Sequence, residues 1–102
     1  MITRIVKLTL KKESIDDFMQ LFKEVKERIA NFDGCYHVEL LQDMHSTNIL
    51  FTYSIWEDEH YLNLYRFSGF FKQTWERTRP LFGAPPEAWS VKLIERVVSD
   101  KF

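Results

Sequence analysis

The sequence predicts an α+β domain in which four strands and two helices follow one another as β-α-β-β-α-β. Three observations support this order: four segments alternate with period 2, two segments repeat apolar residues at helical spacing, and turn residues separate them. The predicted strands are residues 2–10, 35–42, 48–56 and 89–98. Two right-handed crossovers that flank a hairpin give the ferredoxin-like arrangement, a four-stranded antiparallel sheet with both helices on one face.

The first helix is predicted between Ser14 and Asn31. Ser14 is a favourable N-cap, and Asp17 stands three residues later in a capping-box-like position. The turn chemistry of Asp33 and Gly34 ends the helix. Its apolar face comprises Ile15, Phe18, Met19, Phe22, Val25 and Ile29. This complete periodicity is typical of a helix that packs on a core.

The second helix follows the hairpin that joins the second and third strands. Asp58 or Glu57 is expected to cap it, and Ser68-Gly69 predicts a break or a second cap. The helical region loses regularity at Pro80, which cannot donate a backbone hydrogen bond. The stretch 50–79 holds nine of the sixteen aromatic residues, so the strand and helix here form an aromatic-rich unit.

The alternation within the strands assigns their faces and predicts a homodimer. One set should face the helices: Val6, Leu8, Leu10, Tyr36, Val38, Leu40, Phe51, Tyr53, Ile55, Trp89, Val91 and Leu93. The other face is mixed, yet it carries the apolar residues Ile5, Leu41, Leu50, Trp56 and Ile94. Two helices cover only one face, so we expect a second copy of the chain to cover the other, sheet against sheet.

Length and composition exclude several classes of protein. The 102 residues predict one domain over 1–102, and the net charge of −1 gives no reason to expect a nucleic-acid partner. A single cysteine, Cys35, allows no internal disulfide and favours a reducing compartment. The first ten residues alternate between apolar and polar side chains and carry charges, so we expect neither a signal peptide nor a membrane span. We therefore expect a cytoplasmic location.

The stretch from Phe51 to Trp75 resembles the antibiotic biosynthesis monooxygenase family. The shared features are a strand that ends in Trp56-Glu57, an acidic helix start at Asp58-Glu59, Tyr65 nine residues after the tryptophan, and the pair Phe71-Lys72. The resemblance implies a dimeric α+β barrel with a pocket between helices and sheet. It also implies several activities: cofactor-independent oxygenation of aromatic polyketides or quinols, haem degradation, and members with no known reaction.

At several positions this chain lacks the site residues of particular family members, which reduces the number of activities to expect. The haem-degrading members use an Asn, a Trp and an axial His where this chain is aligned at Val6, Tyr65 and Trp75, so haem degradation is disfavoured. The actinorhodin-type oxygenases share the strand-end tryptophan, here Trp56. Their supporting Asn, Tyr and Arg are replaced in this chain, at Thr52, Leu62 and Glu76.

Metal and nucleophile motifs are absent from the sequence. The three histidines, His37, His45 and His60, have no metal-ligand spacing, so no metal and no cofactor is predicted. His37 and Glu39 share a strand face, where a polar contact at the dimer interface is favoured over general-base catalysis. Cys35 has no cation beside it in the sequence, which favours an inert, packed thiol.

An aromatic pocket is the remaining candidate site, although aromatic stripes at helical spacing are more often plain core. The expected catalytic residues are Tyr65, Trp56 and Arg79, and the expected substrate-binding residues are Tyr53, Phe71, Trp75 and Trp89. The leading hypothesis is a cofactor-independent monooxygenase for a small aromatic or quinol ligand. A non-catalytic ligand-binding dimer and a haem-binding protein without degradation stay open as alternatives.

Overall fold

The computed structural model describes residues 1–101 and shows the α+β, ferredoxin-like fold. Its elements in chain order are β1 (Ile2–Thr9), α1 (Ile15–Ala30), β2 (Cys35–Gln42), β3 (Ile49–Trp56), α2 (Glu59–Arg66), α3 (Gly69–Thr78) and β4 (Glu87–Val91). Short 3-10 turns precede α1 and follow α3. Within the described residues, no helix has the length and apolar character that a membrane crossing requires.

The four strands form one antiparallel sheet in the order β2-β3-β1-β4. β2 and β3 form the predicted hairpin, and β1 lies in the centre against both β3 and β4. The register places Arg4 of β1 opposite Ser54 and Ser90, and Leu8 opposite Leu50. Because partners in an antiparallel pair point to the same face, this register fixes which side chains lie under the helices.

The predicted break at Ser68-Gly69 divides the second helical region into α2 and α3. The Asp58 side chain accepts a hydrogen bond from the Tyr61 backbone N–H, and Ser68 accepts one from Phe71 N–H, both at 3.1 Å. Each helix therefore begins at a side-chain cap that satisfies an otherwise unpaired donor. α3 ends before Pro80, as the missing proline N–H requires.

A cluster of buried side chains lies between α1 and one end of the sheet. Leu8, Leu10 and Leu50 pack there against Phe18 of α1, and all four side chains are buried. Trp56 at the end of β3 and Leu62 of α2 are also almost completely buried. A cavity lies between these two packed regions.

The predicted faces are correct for β1 and wrong for β3 and β4. Leu50 and Trp56 point toward the helices and are 0% exposed, so Phe51, Tyr53 and Ile55 lie on the opposite face. In β4, Ala88 shares the helix-side face with Val6, which places Trp89 and Val91 on the other face. The prediction assumed that the more apolar set faces the helices. Here the helix-side set of β3 includes Thr52 and Ser54 instead.

Three further predictions need correction. A bulge between Cys35 and His37 turns Tyr36 outward, where its side chain is 57% exposed, although it was expected under the helices. The last strand covers only Glu87–Val91 instead of residues 89–98, and Leu93 and Ile94 lie exposed beyond it. Ser14 is buried beside a 3-10 turn and forms no side-chain cap, so the capping-box-like arrangement is not formed.

Candidate functional site

A cavity of about 350 Å³ lies between the helices and the middle of the sheet. Its floor consists of short side chains, namely Thr52 and Ser54 of β3 and Ala88 of β4, beside Val6 of β1. Short side chains cannot fill the distance to the helices that leucines span at the core end of the sheet. The floor therefore leaves space for a ligand, and the volume falls in the range of small-molecule sites.

Aromatic rings of α2 and α3 form the wall of this cavity. Tyr65 lies edge-on to Phe71, with ring centroids 5.1 Å apart and planes inclined by 79°. Phe71 stacks on Trp75 one helical turn later, at 5.8 Å and 10°. The spacing of four residues within α3 places these two rings on one face. The wall thus offers flat apolar surfaces of the kind that bind a planar molecule.

Tyr65 is held from behind by two further aromatic residues. The Trp56 ring stacks on it with centroids 5.0 Å apart, and the Phe32 ring meets it edge-on at 5.3 Å. The indole N–H of Trp56 donates to the Ser54 hydroxyl at 2.9 Å, which fixes the indole plane. These contacts position the tyrosine ring at the cavity wall without assistance from a ligand.

Burial raises the pKa of the Tyr65 phenol well above its ordinary value, and the neighbouring Cys35 adds to the shift. The phenol is therefore neutral at physiological pH and acts as a hydrogen-bond donor, not as a base. Within residues 1–101, the Tyr65 hydroxyl has no hydrogen-bond partner. Every fully buried side-chain N or O atom does have a partner, so this hydroxyl is not fully buried but borders the cavity. The hydroxyl is thus free to donate to a molecule in the cavity.

Two arginines supply the charge of the cavity lining. Arg4 of β1 and Arg66 of α2 both border the space, and no Asp, Glu, His or Lys of residues 1–101 lines it. Arg4 donates from Nη1 to the Ser90 hydroxyl at 3.0 Å. Burial lowers the pKa of the Arg4 guanidinium, and the nearby positive charge of Arg66 lowers it further.

A second recess of about 290 Å³ adjoins the cavity. It shares Arg66, Phe71 and Trp75 with the cavity and adds the polar residues Lys72, Glu76 and Arg79. The recess is therefore more polar than the cavity, and it lies on the side of α3 that approaches solvent.

The sequence of this chain matches the profile of one known protein family. The profile of the antibiotic biosynthesis monooxygenases matches residues 1–77, three quarters of the chain. This chain belongs to the antibiotic biosynthesis monooxygenase family. No curated protein matches it at a significant level.

Several solved structures show the same fold as this chain. A conserved protein from Methanosarcina mazei Go1 is 25% identical with a TM-score of 0.84, and the match covers 90% of this chain and 92% of that one. An antibiotic biosynthesis monooxygenase is 17% identical with a TM-score of 0.86, over 93% and 100% of the two chains. A Mycobacterium tuberculosis protein is 12% identical with a TM-score of 0.85, over 95% and 98%.

Three of the predicted site residues meet at the cavity of this family member: Tyr65, Phe71 and Trp75. Trp56 is completely buried behind Tyr65 and does not border the space. Arg79 lies in the 3-10 turn after α3 and lines the adjoining recess. The structure thus places the predicted catalytic residues at three different depths, with only Tyr65 in the cavity wall.

Tyr53 and Trp89 do not lie between helices and sheet, where they were predicted. Both flank Ile5 on the outer face of the sheet, in the row formed by β3, β1 and β4. Trp89 is 45% exposed there. The reason is the reversed face of β3 and β4, since a shift of one residue moves every side chain of a strand to the other face.

Sequence reasoning missed Arg4, Arg66 and the short residues of the floor. Arg4 has the same parity as Val6 and Leu8, so the alternation of β1 already placed it on the helix-side face. Arg66 follows Tyr65 directly in α2 and carried no separate signal. The floor residues Thr52 and Ser54 were overlooked because the mixed set of β3 was assigned to the face that a second copy of the chain should cover.

The histidines and the cysteine lie away from the cavity lining. His37 forms a hydrogen bond with Glu39 on the outer face of β2, and its ring meets Tyr53 edge-on at 6.4 Å. Cys35 donates weakly to the His37 carbonyl, and burial raises the pKa of its thiol. Among the described residues, no group of three or more His, Cys, Asp or Glu side chains is arranged for a metal ion.

Proposed function

We propose that this protein is a cofactor-independent monooxygenase that binds a planar aromatic or quinol compound in the cavity between its helices and sheet. The observation that carries the proposal is the cavity wall, where Tyr65, Phe71 and Trp75 bring flat rings and one free phenol to the same space. Membership in the monooxygenase family supports the reaction type.

The proposed chemistry needs little from the protein beyond binding and charge stabilisation. A bound phenol or quinol supplies the electrons, one atom of molecular oxygen enters the ligand, and the other leaves as water. Tyr65 would donate a hydrogen bond to the oxygen of the ligand as negative charge develops on it. Phe71 and Trp75 would hold the ring plane, and the apolar surroundings would exclude water from the reacting atoms.

Trp56 and Arg79 keep supporting roles in this proposal. Trp56 would fix the Tyr65 ring through the observed stack, and so acts as a positioning residue. Arg79 would contact the polar edge of a ligand long enough to extend into the adjoining recess. Tyr53 and Trp89 lie on the outer face and have no role at the cavity of their own chain.

We also propose that the functional protein is a cytoplasmic homodimer. The outer face of the sheet carries Ile5, Phe51 and Ile55 next to Tyr53 and Trp89, an apolar surface that a second copy of the sheet would cover. Such packing would complete the dimeric α+β barrel. The single cysteine supports a reducing compartment.

A non-catalytic ligand-binding dimer is the second candidate, and the composition of the cavity lining favours it. Among residues 1–101, the lining has no carboxylate and no imidazole that could accept a proton from a ligand. Tyr65 is a neutral donor and the two arginines are cations, so a ligand would have to ionise without a protein base. Binding without turnover would be the result for ligands of high pKa.

Oxygen uptake with a panel of substituted naphthohydroquinones tests the proposed function. Wild type should accelerate uptake above the spontaneous rate. Tyr65→Phe should lower kcat/KM by about 10- to 100-fold through loss of the donor, and Trp75→Ala should raise KM. Tyr36→Phe is the matched control, because this tyrosine lies exposed at the β2 bulge. Equal uptake by wild type and Tyr65→Phe would contradict the catalytic role, and binding without uptake would favour the second candidate.

A further inference from the structure

We infer that Arg4 and Arg66 form a subsite for a carboxylate group, so that the ligand of this cavity is an aromatic acid with an apolar ring body. The inference rests on the proposed function, because the two arginines border the same cavity as the aromatic wall. It adds the chemical class of the ligand, which the aromatic wall alone does not determine.

Arg4 is positioned by the sheet. It lies in the middle of β1 on the helix-side face, and the register places a serine on each side of it, Ser54 on β3 and Ser90 on β4. These short neighbours leave the guanidinium room to project over the cavity floor. Its described hydrogen bond goes to the Ser90 hydroxyl at 3.0 Å, so its other N–H donors are available to a ligand.

Arg66 is positioned by α2. It is the last residue of that helix, next to Tyr65 in the chain, and it borders both the cavity and the adjoining recess. The capped start at Asp58 and the stacked Tyr65 ring fix the helix relative to the sheet. The Arg66 side chain therefore enters the space from the helix side, while Arg4 enters from the sheet side.

Neither guanidinium is neutralised within the described part of the chain. The ion pairs found in residues 1–101 are Lys7–Glu87, His37–Glu39 and Glu24–Arg77, and none of them includes Arg4 or Arg66. Two half-buried cations that face one space without a counter-ion repel each other and lose hydration. A bound carboxylate relieves both costs, and its two oxygens match the planar fork of a guanidinium.

The remainder of the lining determines the rest of the ligand. Apart from the arginines it consists of apolar and aromatic side chains and the hydroxyls of Thr52, Ser54, Thr74, Thr78 and Tyr65. A highly hydrated anion such as a sugar phosphate would leave these apolar walls in contact with polar groups. An aromatic carboxylate places its ring against Phe71 and Trp75 and its charge at the arginines.

Calorimetric titration with 2-naphthoate and its neutral isostere 2-naphthamide at pH 7 tests the subsite. Wild type should bind the acid at least about tenfold more tightly than the amide. Arg4→Met and Arg66→Met should each remove most of this preference and leave amide binding unchanged, which also shows that the cavity is intact. Arg96→Met, in the exposed segment after β4, is the matched control and should retain the full preference.

Equal binding of acid and amide by wild type would overturn the subsite while the cavity stands as a ligand site. Binding of neither compound would overturn the subsite, and oxygen uptake with the naphthohydroquinones would then decide the proposed function separately. If Arg4→Met fails to fold, Arg4→Lys retains the charge without the planar fork and should weaken acid binding several-fold. Unchanged acid binding in both Arg4→Lys and Arg66→Met would contradict the inference.

Discussion

The Tyr65 ring stacks on the Trp56 ring with centroids 5.0 Å apart and planes inclined by 26°. The tryptophan ends β3 and the tyrosine lies in the last turn of α2, so this contact fixes the helix on the sheet beside the cavity. Trp56 is completely buried, and its indole N–H donates to Ser54 on the cavity floor. One stack thus connects the stability of the fold with the position of the candidate hydrogen-bond donor.

Trp56→Phe should destabilise the protein by about 2–3 kcal/mol, because it leaves part of a packed site empty and removes the indole hydrogen bond. Ser54→Ala separates the two effects, since it removes only the acceptor, and should cost about 1 kcal/mol. Urea unfolding followed by circular dichroism measures both changes. A Trp56→Phe variant as stable as wild type would show that the stack contributes little.

The stability should fall with rising pH above about 10, because the ordinary pKa of tyrosine is near this value and the folded state holds that of Tyr65 higher. The unfolded chain loses the proton first, so the contribution of Tyr65 is complete below pH 10 and is lost as the pH rises toward its folded-state pKa. The loss should reach up to about 1.4 kcal/mol per pH unit.

Tyr65→Phe has no such ionisation, so its stability should depend less steeply on pH in this range. Urea unfolding of both proteins at several pH values between 9 and 11 gives the comparison. If the stability of wild type and of Tyr65→Phe changed with pH in parallel, the pKa of the buried Tyr65 phenol would not be raised in the folded state.

Gly34→Ala should destabilise the protein by at least about 2 kcal/mol. Gly34 adopts a φ of +80°, which favours glycine, and an added Cβ would collide with the Tyr61 ring carbon Cγ. Gly69→Ala is the matched control, because an added Cβ there meets no atom within 4 Å and α3 gains a better helix former. Thermal unfolding of both variants compares them; equal melting temperatures would contradict the close approach at Gly34.

Sedimentation equilibrium at micromolar concentration should give twice the chain mass of 12.3 kDa. Ile5→Glu places a charge in the centre of the outer sheet face, between Tyr53 and Trp89, and should shift the mass to that of a monomer. Glu87→Gln, at the rim of the same face, is a suitable control and should retain the dimer. A monomer mass for wild type would contradict the proposed assembly.

The order of elements was predictable because the periodicities of 2 and 3.6 are strong and turn residues separate them. The hairpin, the Asp58 cap and the break at Ser68 follow the expectation closely. The extent of the last strand was not predictable, since residues 92–98 are rich in apolar and β-branched side chains yet lie beyond the last pair that β4 forms with β1. Composition indicates a tendency to form a strand, while a strand also requires a neighbouring strand to pair with.

The site was predictable only from the helix side. Tyr65, Phe71 and Trp75 follow from helical spacing, whereas the sheet side depends on a register that the sequence does not determine. The assumption that the apolar set faces the helices fails where a cavity floor is built from Thr52 and Ser54. A strand such as β3, with an apolar outer set and small polar residues in the set that faces the helices, thus indicates a cavity beneath the helices.

The proposed ligand site is tested most directly by a crystal structure of the protein soaked with a naphthohydroquinone in the absence of oxygen. We expect electron density for the ring in the cavity, against Phe71 and Trp75, with a ligand oxygen within about 3 Å of the Tyr65 hydroxyl. Ligand density outside this cavity, or a cavity closed by side chains at a saturating concentration of the compound, would contradict the proposed site.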